Sequence, residues 1–434
     1  MNVTIGSIGV IALVLLLILR IPVAMALIGV SFGGIAAMVG FSPAIGILAN
    51  TPYSIAASWT LSAVPMFVLM GFVAFNGGLT AGLFDAAKLL LGRLPGGLAI
   101  SSIFASTGFA AVCGSSLACA AAMGRIAIPQ MIAAGYRAPI AAGCIAAGGT
   151  LGALIPPSLL LILFGIFTET SITQLFIGGI GVGLATALSY CIVVLAICWL
   201  RPDWIPSRTD VKVEGNIRAS LISLVPVVAL AALIFGGMFT GLFSATEAGA
   251  AGALGTIVIT ACTGKLSWSV LWNSILETVG TSGAFFIVGI GAAMFTRFLG
   301  LSGMSAFIES WVAGSGLSFV GLMFVIVVIY LIIGTFMEPL GAMMVTIPVF
   351  APLVSAQGGS LVWFGVLVVK LLEIGMITPP VGMNVFVIKN VAGKYVTLMQ
   401  IFAGVIPFLI ADLVVVTLVI VFPALVLFLP QFIG

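Results

Sequence analysis

The sequence predicts an all-α, polytopic membrane protein made of two inverted repeats, and three observations carry that prediction. Hydrophobic residues make up 62% of the 434 positions and charged residues 6%, where a soluble domain carries about 25% charged. Apolar runs near the length of one bilayer crossing, about 20 residues, recur along the whole chain. A double-proline motif also occurs twice, as "GALIPPSLLLILF" at 152–164 and "GMITPPVGMNVFV" at 375–387.

Breaks in the apolar pattern place the spans at about 3–20, 21–40, 56–79, 139–168, 173–200, 219–240, 245–263, 275–298, 361–389 and 397–428. Two further apolar stretches, about 98–135 and 318–356, are too long for one span. Each has a Gly-, Ser- or Pro-containing break near its middle. Both read as re-entrant hairpins that enter and leave on one side. The connectors "TAGLFDAAKLLLGRLPGG" (80–97) and "LSGMSAFIESWVAGSG" (301–316) mix charge with an apolar stripe, which suits surface-lying helices. The first repeat is then 1–200, with its broken helix at about 139–168. A cytoplasmic linker covers 201–218. The second repeat is 219–434, with its broken helix at about 361–389. Each repeat holds about five spans, an odd number, so the second is inverted. Inverted repeats with broken helices mark secondary transporters.

Charge orients the chain. Residues 201–218 hold Arg201, Arg208, Lys212 and Arg218 in the one long hydrophilic stretch, which the positive-inside rule puts in the cytoplasm. The amino terminus then lies outside. Arg20, Lys88, Arg93, Arg137, Lys265, Lys389 and Lys394 fall inside, and Glu169, Glu247 and Glu309 outside. No basic residue precedes the first apolar run, so it reads as a retained span rather than a signal peptide.

The composition excludes a soluble enzyme, a disordered scaffold and a nucleic-acid binder. The net charge of +3, from 14 basic and 11 acidic residues, says nothing of a polyanionic partner. Histidine is absent, which removes a Ser-His-Asp triad, a His metal site and a His proton relay. The six cysteines, at 113, 119, 144, 191, 198 and 262, form no C-x-x-C pair and read as small core residues. No phosphate-binding G-x-x-x-x-G-K-[ST] loop occurs. An ion gradient is therefore the expected energy source for any uphill movement.

The double prolines carry the chemistry. Proline has no N–H, so the carbonyl four residues earlier loses its helical partner. Pro156 and Pro157 free Gly152 and Ala153; Pro379 and Pro380 free Gly375 and Met376. Freed carbonyls suit a hard cation, and the half-helix that starts beyond each break suits an anion. Ser158, Thr378 and Asn384 add hydroxyls and an amide. A plain kink satisfied by neighbouring helices is the other reading. The hairpin tips fall at Gly114, Ser115 and Ser116, and at Glu338, Pro339 and Gly341, where small-residue helix packing is the alternative for the serines. Intramembrane charges are costly, about 2.5–3.5 kcal/mol each at a helix centre. They are expected at Arg125, Glu277, Arg297, Glu338, Lys370, Glu373 and Asp412. Lys370 and Glu373, three apart on one helix, are spaced so that they could pair with each other in a structural role, the alternative being that Lys370 alters substrate preference.

The stretches "CGSSLACAAAMGRIAIPQMIAAGY" (113–136), "AAGGTLGALIPPSLLLILFGIFTETSI" (146–172), "FMEPLGAMMVTIPVFAPLV" (336–354) and "LLEIGMITPPVGMNVFV" (371–387) resemble a known family. It is the large membrane subunit (DctM/SiaM-type permease) of the tripartite ATP-independent periplasmic (TRAP) transporters, within the ion transporter superfamily. The resemblance covers nearly the whole chain. It implies an elevator-type fold in a bacterial or archaeal inner membrane, and uptake of organic acids such as C4-dicarboxylates or sialic acids driven by about two Na⁺. It also implies a periplasmic substrate-binding protein and a small four-helix membrane subunit, expected here as a separate chain. Carried over residue by residue, it implies a first Na⁺ site at Gly114, Ser115, Ser116, Gly152, Ala153 and Pro156. The second Na⁺ site would be Glu338, Gly375, Met376, Thr378 and Pro379. Substrate would meet Ser116, Pro157, Ser158, Pro380, Gly382 and Asn384. Lys370 departs from the polar uncharged residue usual there, and Cys113 and Cys119 in the first hairpin are also unusual.

Two alternatives remain open from the sequence. One is a stand-alone carrier, Na⁺- or H⁺-coupled, with Glu338 and Asp412 as proton candidates. The other is a membrane enzyme or a channel, for which no nucleophile with a base is visible.

Overall fold

The structure, a computed structural model, describes residues 2–206 and 217–432, and every regular element among them is helical. That follows from the solvent. In hydrocarbon each backbone N–H and C=O must find a partner inside the protein, and a helix supplies it locally. The first half runs α1 (Val3–Ile18), α2 (Val23–Val39), α3 (Phe41–Ala56), α4 (Ala63–Asn76), α5 (Leu79–Leu91), α6 (Gly97–Cys113), α7 (Ser116–Ala133), α8 (Ala138–Leu154), α9 (Leu159–Phe167) and α10 (Ile172–Leu200). The second half runs α11 (Ile217–Phe239), α12 (Ala245–Cys262), α13 (Trp268–Ser302), α14 (Met304–Gly314), α15 (Phe319–Phe336), α16 (Pro339–Ala356), α17 (Leu361–Gly375), α18 (Met383–Ala392), α19 (Leu398–Val421) and α20 (Ala424–Leu427). Among the described residues, nine helices are long and apolar enough to cross a membrane, or ten if a bent pair at 41–76 counts as one span.

Both anticipated connectors are helices, α5 and α14, and both anticipated hairpins are helix pairs, α6–α7 and α15–α16. Three boundaries differ from the sequence reading. Residues 41–55, placed in no span, form α3: Gly40 at φ 96° ends α2, and Pro43 sits in the first turn of the new helix, where a missing N–H costs nothing. The span expected at 275–298 is the 35-residue α13, started by the Ser267 cap on the Val270 N–H. At 1.5 Å per residue it is about 52 Å long, well beyond a 30 Å hydrocarbon core. The last span stops at Phe422 because Pro423 cannot continue it. Of the expected linker, residues 207–216, with Arg208 and Lys212, lie outside the described residues, as does the side chain of Arg218.

The two halves interlock. α2 packs along α13, and α12 along α4, so the second helix of each half lies on the third crossing of the other. The two hairpins and the two broken helices, α8–α9 and α17–α18, pack with one another and with α10 and α19. α8 and α19 meet backbone to backbone: a Cβ on Gly404 would stand 1.8 Å from the Pro139 carbonyl oxygen. Such contact between small residues is how helices associate where lipid removes the hydrophobic drive. At one end of the molecule Arg137 ties to the segment after α10. Its guanidinium is 2.9 Å from Asp203, and its backbone N–H donates to the Trp204 carbonyl.

Candidate functional site

The first hairpin tip sits on the first break. α6 ends at Gly114, whose φ of 63° turns the chain. Ser115 then caps α7 by accepting the Ala118 N–H. A Cβ on Gly114 would meet the Pro157 carbonyl oxygen at 2.6 Å, and one on Gly152 would meet the Ser115 carbonyl oxygen at 2.6 Å. Gly114, Ser115, Ser116, Gly152, Ala153, Pro156, Pro157 and Ser158 are thus gathered in one place, and all are buried but Ser115. The two freed carbonyls have different fates. That of Ala153 accepts the Ser158 hydroxyl, whose oxygen also caps the Leu161 N–H at the start of α9. Ser158 is therefore engaged locally. The carbonyl of Gly152 has Pro156 four residues on, where its helical donor would be.

The second break is built differently. The Gly375 carbonyl accepts the Thr378 N–H (3.2 Å) and the Met376 carbonyl accepts the Asn384 N–H (3.0 Å), so the backbone itself re-satisfies both. The Thr378 hydroxyl donates to Ile374 O (2.7 Å). Gly382, at φ 57°, starts α18. Gly375 is pressed against Gly334 of α15: a Cβ on Gly375 would lie 2.3 Å from the Gly334 carbonyl carbon. The contact falls a full turn before the tip, so Glu338 extends past Gly375. Glu338, Pro379 and Pro380 are exposed, and the Glu338 carboxylate has no hydrogen bond or ion pair among the described residues. One break is closed over and the other lies open.

Between the breaks runs a buried polar seam. The Ser116 hydroxyl donates to Glu373 Oε2 (2.5 Å). Lys370 Nζ lies 2.5 Å from Asp412 Oδ1 on α19. The Tyr190 hydroxyl on α10 reaches both Asp412 oxygens (2.8 and 2.9 Å) and stands 3.1 Å from Thr150 Oγ1 on α8. The expected Lys370–Glu373 pair is therefore corrected: each side chain leaves its helix for another element. The spacing of three places them on one face, and that face packs against both α19 and the first hairpin. Asn384 donates to Ala146 O (3.4 Å), and its buried Oδ1 has no partner. Tyr190 and Thr150 escaped the sequence reading, which has no way to single out one tyrosine in an apolar run.

The remaining intramembrane charges lie away from this centre. Arg125 is exposed, Glu277 accepts from Asn76 (3.2 Å), and Arg297 donates to Thr51 (3.3 Å). Among the described residues no three His, Cys, Asp or Glu side chains converge as a metal site would need.

Comparison with known proteins identifies the setting. Residues 10–425 match the family described as tripartite ATP-independent periplasmic transporter, DctM component. The chain belongs to this family. It is 33% identical over 399 residues to the C4-dicarboxylate TRAP transporter large permease protein DctM of Pseudomonas aeruginosa, covering 91% of this chain and 92% of that one. It is 32% identical over 377 residues to the sialic acid TRAP transporter large permease protein SiaM of Vibrio cholerae, covering 86% and 87%. Its fold is similar to that of the YdaH transporter of Alcanivorax borkumensis, solved by crystallography, with a TM-score of 0.64 at 15% identity over 91% of this chain and 89% of that one. These relatives are transport proteins and not enzymes. Membership in a TRAP permease family, with nine or ten apolar spans among the described residues, makes this an integral membrane subunit of a multi-part transporter.

Proposed function

We propose that this chain is the permease through which a Na⁺ gradient draws an organic acid across the bacterial inner membrane. Its named relatives handle C4-dicarboxylates and sialic acids, both carboxylates. The observation that carries the reading is the first hairpin tip seated on the first break. It sets the Ser115 carbonyl oxygen against Gly152, whose own carbonyl has Pro156 in the place of its helical donor, with Ser116 next along the chain. Oxygen donors of this kind suit a hard monovalent cation. The second cation would meet Glu338, Gly375, Met376, Thr378 and Pro379. Two of those carbonyls already accept one backbone N–H each, which leaves each a second lone pair for a cation.

Substrate would lie between Ser116, Pro157 and Ser158 on one side and Pro380, Gly382 and Asn384 on the other. The N-termini of α9 and α18 offer N–H groups to a carboxylate there. The unpartnered Asn384 Oδ1 offers an acceptor to a substrate hydroxyl. Energetically, one net charge moving inward through 100 mV supplies about 2.3 kcal/mol. A tenfold Na⁺ ratio adds about 1.4 kcal/mol per ion. Two Na⁺ per monoanion would therefore concentrate substrate strongly. We assign residues 1–200 and 219–434 to two inverted repeats, with hairpins and broken helices moving as an elevator and the amino terminus in the periplasm. A small four-helix subunit and a periplasmic binding protein complete the system.

Proteoliposomes holding the chain with its small subunit test this, with the binding protein and labelled C4-dicarboxylate or sialic acid outside. Uptake driven by an inward Na⁺ gradient, and abolished when K⁺ or choline replaces Na⁺, is the expected result. Uptake that follows a proton gradient without Na⁺, or that needs no binding protein, would replace this reading with a stand-alone or proton-coupled carrier.

A further inference from the structure

Among the described residues, three charged side chains are buried, Lys370, Glu373 and Asp412, with 1%, 1% and 0% of their surface exposed. Two carboxylates therefore share one ammonium. Lys370 stands on Asp412 (2.5 Å), while Glu373 is left with the Ser116 hydroxyl (2.5 Å). The other titratable groups facing this cluster are Tyr190 on α10 and Cys119 on α7, neither of them a cation. The two carboxylates differ in reserve. Asp412 would keep the Tyr190 hydroxyl on both its oxygens if Lys370 left. Glu373 has no second hydrogen bond, but Lys370 is three residues away on the same helix face, within side-chain reach. A carboxylate in so apolar an interior is stable as an anion only when it is paired or hydrogen-bonded.

We propose that Lys370 is shared between Asp412 and Glu373, and that Ser116 decides which of them holds it. With the Ser116 hydroxyl on Glu373, Lys370 ties α17 to α19. When a ligand at the first hairpin tip draws that hydroxyl away, Glu373 takes Lys370, the α17–α19 tie is lost, and Asp412 is held by the Tyr190 hydroxyl of α10 alone. Occupancy of the tip is thereby felt at α10 and α19, in the discrete two-arrangement form that coupling between sites requires. Lys370 and Glu373 act as positioning residues. The role given to the tip rests on the proposed function; the competition for Lys370 does not.

A double-mutant cycle in Na⁺-free buffer isolates the competition. Thermal stability is measured for the chain purified with its small subunit: wild type, Ser116→Ala, Lys370→Met/Asp412→Asn, and all three changes together. The combined variant should lose more in Tm than the sum of the two losses, because Glu373 then has neither donor. Adding Glu373→Gln should remove that excess, since an amide needs no cation. If the combined variant fails to accumulate, Glu373→Gln should restore it. Additive losses, or an excess that persists with Glu373→Gln, would overturn the proposal. A Na⁺ titration of the same proteins separates the two readings. A several-fold shift of the stabilising Na⁺ concentration in Lys370→Met/Asp412→Asn supports the coupling. No response to Na⁺ in the wild type counts against the proposed function alone and leaves the Na⁺-free cycle to stand or fall by itself.

Discussion

Gly114 stands so close to Pro157 that a Cβ at this glycine would come within 2.6 Å of the proline carbonyl oxygen. The hairpin tip and the first break are thus one unit of structure, closed by the absence of a side chain. Gly114→Ala should be costly twice over. An L-residue at φ 63° loses about 1–2 kcal/mol. The clash with backbone adds about 1–3 kcal/mol of overpacking. Gly78→Ala is the control: its φ is 66°, but nothing lies within 4 Å of the new Cβ. Gly114→Ala should therefore lower Tm more than Gly78→Ala and abolish uptake. Equal losses would mean that the tip does not rest on Pro157.

The buried pair gives a sharper stability test. Removing one partner strands a charge, at about 3–5 kcal/mol, whereas removing both charges can be nearly neutral. Lys370→Met alone leaves Asp412 with only Tyr190, so its Tm should fall steeply. In Lys370→Met/Asp412→Asn the amide oxygen still accepts the Tyr190 hydroxyl, and most of the loss should return. A double variant as unstable as the single one would show that Lys370 and Asp412 do not depend on each other.

These contacts also mark where the sequence stops being legible. Spans, hairpins and breaks are written in local composition, so the helices anticipated from apolar runs are present, although α3 falls in none of the anticipated spans and α13 and α19 end some residues away from the expected limits. Proline acts on its own backbone, so both breaks could be placed from Pro156–Pro157 and Pro379–Pro380. The partners of Lys370 could not. Helical periodicity relates a residue to neighbours three and four away, which made Glu373 the evident choice, while Asp412 is 42 residues on and Ser116 is 257 before Glu373. Ser158 shows a second blindness. Its position beside the prolines suits a ligand as well as it suits a helix cap, and only the fold shows its hydroxyl bonded to Ala153. The asymmetry of the two breaks had no signal in the sequence either, because it depends on where Gly334 presses on Gly375.

That asymmetry can be read with thiol chemistry. Five native cysteines are buried and Cys262 is exposed, so Cys262→Ser should leave the folded protein unreactive to a small maleimide. In that background Glu338→Cys should label readily, because Glu338 is exposed at its tip. Ser116→Cys should stay protected, since Ser116 is 5% exposed beneath the first break. Labelling of both at similar rates would remove the distinction between a closed first tip and an open second one.

The α8–α19 contact carries the last prediction. Gly143 and Gly404 face each other so closely that a Cβ on Gly143 would lie 2.2 Å from the Gly404 carbonyl, and one on Gly404 would lie 1.8 Å from the Pro139 oxygen. No flexible side chain is there to yield, so the helices themselves must part. Parting them moves α19, and with it Asp412, away from Lys370. Gly404→Ala should thus lower Tm by more than its one methyl group suggests, and it should do so far less in the Lys370→Met/Asp412→Asn background, where the ion pair is already gone. Gly283→Ala on α13 is the reference, with nothing within 4 Å of the added Cβ. There the only expected effect is the helix preference for Ala over Gly, about 1 kcal/mol in the stabilising direction. A Gly404→Ala loss that is the same in both backgrounds would separate the packing of α19 from its ion pair.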